Sequence, residues 1–197
     1  VGANTDCDPK HLHQFAIMGY CYSKYVLEVS NPKVGLLSNG EEENKGNELT
    51  KKTFPLCKEV PGFTGNVEGS DIFNGSTDVL VCDGFTGNLI LKTSEGIGSS
   101  MMKILKNNIK SSIVSIAGSV LMLKAFKGLK RKVDYAEYGG APLLGVKAPV
   151  IIAHGKSNPM AIKNAIFQGI KSTKSDINEK ISQIINEEKT SKVKVKV

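Results

Sequence analysis

Tryptophan is absent, and aromatic residues make up only 6% of the 197 residues. That scarcity argues against a stacking platform for single-stranded nucleic acid. The four cysteines, Cys7, Cys21, Cys57 and Cys82, form no C-x-x-C pair. We read them as reduced core or surface thiols of a cytosolic protein. His11 and His13 lie two apart on an expected helix and face different ways, so no metal site is expected there. The first 30 residues lack a charged start followed by an apolar run, so no signal peptide is read. Ser111–Leu123 carries no charge for thirteen residues, but a membrane span needs roughly 20. The motifs G-x-G-x-x-G, G-x-x-x-x-G-K-[ST] and G-x-S-x-G are all missing, so neither a nucleotide loop nor a nucleophilic serine has support.

Forty per cent apolar and 23% charged residues make an ordinary globular balance. The length suits one domain with a full core. Val1-Gly2-Ala3-Asn4 reads like the end of a strand already under way, and we expect a fragment. The net charge is +7 and is concentrated. Lys103, Lys106, Lys110, Lys124, Lys127, Lys130, Arg131 and Lys132 fall within residues 101–132, which contain no acid. Basic flanks around an uncharged segment suit an anionic bilayer surface, at roughly 1 kcal/mol per Lys or Arg. A subunit or core helix with a solvated basic face fits the same pattern, and the two readings are compatible. With no recognisable motif for it, DNA binding is set aside.

Along the chain, Asp8-Pro9 opens a helix that runs to about Leu27 and ends before Asn31-Pro32. Lys33–Leu37 reads as a strand, Ser38–Asn47 as a polar loop, and Glu48–Glu59 as a helix kinked before Pro55. Phe63–Val67 is a short strand and Ser70–Phe73 one helical turn. Thr77–Cys82 is a buried-type strand, Asp83–Asn88 a turn, and a long helix starts near Leu89, weakened at Gly96 and Gly98. Tyr138–Pro142 breaks the chain, and Ala148–Ala153 is a second buried strand. Asn158 caps a helix with Pro159 at its first position. Ile177, Ile181, Ile184 and Ile185 mark a last amphipathic helix. Lys192–Val197 alternates, as an edge strand or a disordered tail. Short apolar strands alternating with helices give an α/β fold with a mostly parallel sheet.

Three strand-to-helix junctions, Ser38–Asn47, Asp83–Asn88 and His154–Asn158, share Gly, Asn and titratable groups. Ligands of open α/β sheets bind at the carboxyl ends of strands. Helix N-termini offer free N–H groups to anions there. Lys45, Lys92 and Lys156 add positive charge within a turn of each junction. Gly-Asn pairs are also plain turn formers, and Asp83 and His154 have bland readings as a helix-capping aspartate and a turn histidine.

Read in order, seven segments resemble the PlsX family of phosphate acyltransferases. They are Val1–Asp6; Gly40-Glu41-Glu42 with Lys45–Leu49; Gly65–Gly69 with Asp71-Ile72-Phe73; Asp83-Gly84-Phe85 with Gly87-Asn88; Leu91–Gly96; Tyr138–Gly145; and Ala153-His154-Gly155. The likeness runs to about Ser172, placing one partial domain at 1–174, with residues 101–132 as dimer or membrane helices and 175–197 as a C-terminal helix and basic tail. Family members begin with a further strand and a Gly-rich segment. The resemblance implies a three-layer α/β/α fold similar to phosphotransacetylases and isopropylmalate dehydrogenases. It implies a cytosolic homodimer, peripherally attached to the membrane, with no cofactor. It further implies that acyl–acyl carrier protein and inorganic phosphate give acyl-phosphate, which passes to a membrane glycerol-3-phosphate acyltransferase on the way to phosphatidic acid.

That reaction asks mainly for phosphate held against a thioester carbonyl and for stabilisation of the oxyanion. Asn88, Lys92 and the backbone of Gly87 are expected to hold phosphate. Asn4, Asn47 and Asn66 are candidates for orienting substrate or the oxyanion, with Asp6, Lys45 and Glu68 nearby in the same motifs. His154 or Asp83 is expected to move the proton that monoanionic phosphate brings. The acidic carrier protein would dock on the basic stretch. Two competing readings stay open: a phosphotransacetylase-like enzyme using acyl-CoA, and an inactive chain that dimerises and sits on membranes.

Overall fold

A computed structural model describes residues 3–126, 128 and 139–194. The chain divides into two compact units, one from Val1–Gly87, Pro142–Val150 and Gly169–Val197, the other from Asn88–Ala141 and Ile151–Gln168.

The first unit is built on a parallel sheet. Helix α1 (Pro9–Cys21) starts at Asp8, whose backbone N–H donates to His11 Nδ1 at 3.0 Å. Pro9 fits the first helical position because no N–H is needed there. The helix widens into a π-helical turn at Tyr22–Val26. Strands β1 (Val34–Leu37), β2 (Phe63–Val67) and β3 (Val79–Val81) pair in the order β2-β1-β3, all parallel. Leu36 stands opposite both Asn66 and Val81, which puts the carboxyl ends of the three strands at one edge. Between β1 and β2 lies helix α2 (Glu48–Cys57), and one turn, α3 (Asp71–Asn74), leads to β3. Pro55 is inside α2, which ends at Cys57 rather than at Glu59.

The last helix, α7 (Ile177–Lys194), returns to this unit. Its Ile177 and Ile181 join Leu12, Ile17, Leu36 and Val81 in one buried cluster. The spacing of those isoleucines sets one apolar stripe facing the core. No Gly or Pro interrupts residues 177–194, so the helix carries on through Lys192–Lys194. This corrects the expected edge strand or disordered tail for those three residues; the remainder of the tail lies outside the described residues. With helices packed on a parallel sheet, the fold is mixed α/β and agrees with the three-layer α/β/α class.

Helix α4 (Gly84–Lys110) begins five residues earlier than expected and runs unbroken through Gly96 and Gly98. The expected turn at Asp83–Asn88 is its first turn, because Asp83 caps it. Helix α5 (Ile113–Leu121) follows, opened by Ser112, whose Oγ accepts from Ser115 N at 3.0 Å.

Ala141–Leu143 (β4), inside the segment expected only to break the chain, pairs with Val150–Ile152 (β5) in a two-stranded sheet. The expectation of a buried strand at Ala148–Ala153 is corrected. Val150 and Ile152 are exposed, since the strand has a single pairing partner among the described residues. Helix α6 (Pro159–Lys174) starts as read: Asn158 Oδ1 accepts from Ala161 N at 2.9 Å. Gly139, at φ 80°, lies so close to the α6 backbone at Asn164 and Ala165 that a Cβ would overlap it.

Candidate functional site

Two of the three junctions meet in the first unit. A cleft of about 390 Å³ opens at the carboxyl ends of β1 and β3. One wall is the chain leaving β1, at Leu37, Ser38 and Asn39, together with the start of α2 at Gly46, Asn47 and Thr50. The other wall is the chain leaving β3, at Cys82 and Asp83, with Thr86 from the first turn of α4. Leu12 of α1 adds an apolar contact. The N-termini of α2 and α4 therefore both border the cleft, and the partial positive charge of a helix start favours an anion.

Hydrogen bonds fix the first wall. Asn39 Oδ1 accepts from Gly46 N at 2.8 Å, closing the polar loop on itself. Asn47 caps α2, its Oδ1 accepting from Thr50 N at 2.9 Å and from Thr50 Oγ1 at 3.1 Å. In both asparagines the oxygen is committed, so the amide nitrogen is the end left for a ligand oxygen. Gly46 has φ 105°, and a Cβ there would run into Thr50 Oγ1. Glycine is required on both counts.

Asp83 sits in the second wall as a helix cap. Its two oxygens accept from Thr86 N and Thr86 Oγ1, each at 2.8 Å. Gly87 is buried, and its N–H bonds the Asp83 carbonyl at 3.0 Å. Asn4 reaches this junction through its backbone: its carbonyl accepts from Gly84 N at 2.7 Å and from the Cys7 thiol at 3.3 Å. The Asn4 and Asp6 side chains are exposed. Burial, and then the Asp83 charge, pushes the Cys7 thiol up, and burial does the same to Cys82. Both are held protonated, which makes them poor nucleophiles.

Asn66, one of the expected substrate residues, is buried on β2 and does not line the cleft. Its Nδ2 donates to the Glu42 carbonyl at 2.8 Å, so it holds the loop that forms the first wall. Glu68 contributes its N–H to Asp71 Oδ2 at 2.8 Å, which keeps the Asp71 carboxyl below the usual range, helped by Asn74. Lys45 is exposed in the same loop. Asn88, Lys92 and His154 belong to the second unit. There Lys92 pairs with Glu95 at 2.9 Å, and His154 Nδ1 accepts from Lys156 N at 3.1 Å. Among the described residues no group of three or more His, Cys, Asp or Glu could hold a metal.

The reading from sequence had Ser38, Asn39 and Thr86 inside its junctions without singling them out, and it missed Thr50 and Cys82. Ser38 and Cys82 are the first residues past their strands. Their position was a usable signal, and their ordinary side chains hid it.

A family profile described as fatty acid synthesis protein matches residues 1–180. The chain belongs to this family. Similar proteins include three named phosphate acyltransferase. The one from Aliarcobacter butzleri is 62% identical over 93% of this chain and 55% of its own length. That of Nitratiruptor sp. is 58% identical over 95% and 56%, and that of Helicobacter hepaticus 59% over 92% and 55%. The chain thus spans about half the length of the curated relatives it matches.

The basic stretch lies in the second unit. Lys103, Lys106, Lys110 and Lys124 are exposed, while Lys127, Lys130, Arg131 and Lys132 fall outside the described residues. Helix α5 between them carries no charge and shows Ile113 at 85% and Leu121 at 89% exposure. No helix among the described residues is long and apolar enough to cross a membrane.

Proposed function

We propose that this chain forms the strand-end part of an acyltransferase site that moves an acyl group from acyl carrier protein to inorganic phosphate. The carrying observation is the cleft between β1 and β3, bordered by two helix N-termini and two committed asparagines, in a family whose curated relatives are named phosphate acyltransferase. A phosphate oxygen attacks the thioester carbonyl, the C–O bond forms, and the C–S bond breaks as the tetrahedral intermediate collapses to acyl-phosphate and carrier thiolate. Near pH 7 phosphate is largely dianionic and the thiolate leaves readily, so the protein supplies position and hydrogen bonds. Asn47 and the α2 start offer donors to an oxyanion. Gly87, Asn88 and Lys92 are assigned to phosphate on the family likeness, and Asn4, Asp6, Lys45 and Glu68 to support of the substrate. Asn66 serves by holding the 39–46 loop. His154 and Asp83 are the two candidates for the single proton.

The exposed apolar α4–α5 segment, with its lysines, is assigned to an anionic membrane surface and to pairing of two subunits. There the acyl-phosphate would be handed to a membrane glycerol-3-phosphate acyltransferase. Salt-dependent flotation on anionic vesicles tests this, with Lys103, Lys106 and Lys110 changed together to Gln. Undiminished flotation removes the assignment.

Hydroxylamine trapping of acyl-phosphate tests the main reading, with acyl carrier protein and acyl-CoA as alternative donors and the full-length Aliarcobacter butzleri protein as reference. The expected result is phosphate-dependent thiol release from the carrier protein, lost in the relative when the residue matching Asn47 becomes Ala. Equal turnover of acyl-CoA would point to a phosphotransacetylase-like donor instead. Full activity after the asparagine change would remove the cleft from the mechanism.

A further inference from the structure

Two Asn-Gly pairs occur in the sequence, Asn39-Gly40 and Asn74-Gly75, both in the first unit. With no Cβ on the second residue, its backbone nitrogen can approach the preceding side-chain amide closely. The structure holds the two asparagines very differently.

Asn39 follows β1 and lines the cleft. Its Oδ1 accepts from Gly46 N at 2.8 Å, while its Nδ2 has no hydrogen-bond partner among the described residues. The Gly40 N–H has none among them either. Gly40 is buried, yet its open side is covered only by side chains that can move. A Cβ there would meet Lys45 Cγ and Glu42 Oε2, which belong to exposed residues. Residues 38–47 contain no helix or strand, so the backbone between them is not locked in a ladder. Asn74, by contrast, is held at both ends of its amide. Its Oδ1 accepts from Ser76 N at 2.8 Å, and its Nδ2 donates to Asp71 Oδ1 at 2.7 Å. The Asp71 carboxylate also opposes any negative charge that develops on that amide.

We propose that Asn39 is a self-modification site, at which Gly40 N closes on Asn39 Cγ and the side-chain amide leaves as ammonia. The new C–N bond forms as Gly40 N gives its proton to a solvent base, and Oδ1 carries the charge of the tetrahedral intermediate. Gly46 N–H, already on Oδ1, steadies that charge. The bond to Nδ2 then breaks, and Nδ2 takes a proton from solvent as it departs. Water opens the five-membered imide to aspartate or isoaspartate at position 39, with no change of oxidation state. Aspartate keeps the bond from Gly46 N, so the wall survives while its amide donor becomes a carboxylate. The modification stands on the loop geometry; only its effect on phosphate binding rests on the acyltransferase reading.

Peptide mapping of the folded 197-residue chain, incubated in mildly alkaline buffer, tests the site by mass and isoaspartate content. Synthetic peptides spanning residues 34–45 and 70–80 give the rates without a fold. Asn39 in the chain should convert at close to its peptide's rate. Asn74 should lag its own peptide by about fivefold or more, the worth of one further hydrogen bond to break. Gly40→Ala should remove most of the conversion at Asn39. The proposal is overturned if the fold protects Asn39 as strongly as Asn74, or if folded Gly40→Ala converts as fast as wild type. Should that variant fail to fold, the chain-to-peptide comparison decides. None of these readouts depends on acyl transfer, so the modification and the acyltransferase reading fail separately. Asn39→Asp, titrated with inorganic phosphate by calorimetry, should bind it about tenfold more weakly than wild type. Equal binding would overturn the effect on the cleft.

Discussion

The side-chain carbonyl of Asn39 accepts the backbone N–H of Gly46 at 2.8 Å, across seven residues of chain. This bond ties the exit of β1 to the entrance of α2 and so sets the width of one cleft wall. Gly46 makes it possible, because its φ of 105° is open to glycine and its α-carbon lies against Thr50.

Gly46→Ala should therefore destabilise the fold by roughly 1–3 kcal/mol, the cost of a non-glycine residue forced into such a conformation. Asn39→Ala removes one hydrogen bond at an exposed loop and should cost about 1 kcal/mol or less. Urea unfolding of the two variants checks the order. Equal or reversed effects would mean that the loop tolerates a different path.

Asp83 separates capping from chemistry. Asp83→Ala loses both bonds to Thr86 and should cost about 1 kcal/mol of stability. Asp83→Asn keeps a cap acceptor and should restore most of that stability. If activity follows stability through both variants, Asp83 acts only as a cap. If Asp83→Asn is stable but inactive in the thiol-release assay, the carboxylate itself is needed.

How far the sequence revealed this site follows from the kind of signal each residue gives. Proline and asparagine placements mark helix starts by local chemistry, and Asp8-Pro9 and Asn158-Pro159 lie where expected. Ile177 and Ile181 announce a core face by their spacing alone. The junctions at Ser38–Asn47 and Asp83–Asn88 were legible as strand ends with glycine and asparagine, and they do share a cleft. What stayed hidden was side-chain direction. Asn66 looked like a substrate ligand, and only the register of β2 beside β1 shows it turned to the Glu42 carbonyl. The exposure of β5 was also hidden, because an apolar strand announces burial and not what provides it.

Lys92 pairs with Glu95 at 2.9 Å, with both side chains more than half exposed. Such a pair contributes little, about 0–1 kcal/mol. Lys92→Ala should leave urea unfolding almost unchanged. Its effect on phosphate-dependent thiol release then reports function directly. A drop of about tenfold or more supports the phosphate assignment, and wild-type turnover removes it.

Alkaline pH probes the core through Cys21. This thiol is fully buried, and burial pushes its pKa from 9.0 to about 11, with Lys24 and Lys180 opposing only weakly. A folded pKa above the unfolded one means that the folded chain holds the proton more tightly. Below pH 9 both states are protonated and the group has no pH-dependent effect. Between pH 9 and about 11 the unfolded chain releases the proton first, so stability falls across that window. The loss assigned to this thiol is at most roughly 2–3 kcal/mol. Other groups titrate in the same range, so the difference between wild type and Cys21→Ala is the useful quantity. The cavity left by alanine lowers stability at every pH by a constant amount. The wild-type curve should therefore descend towards the variant's curve from pH 9 to 11. Parallel curves would show that the buried thiol ionises no differently in the folded and unfolded chains.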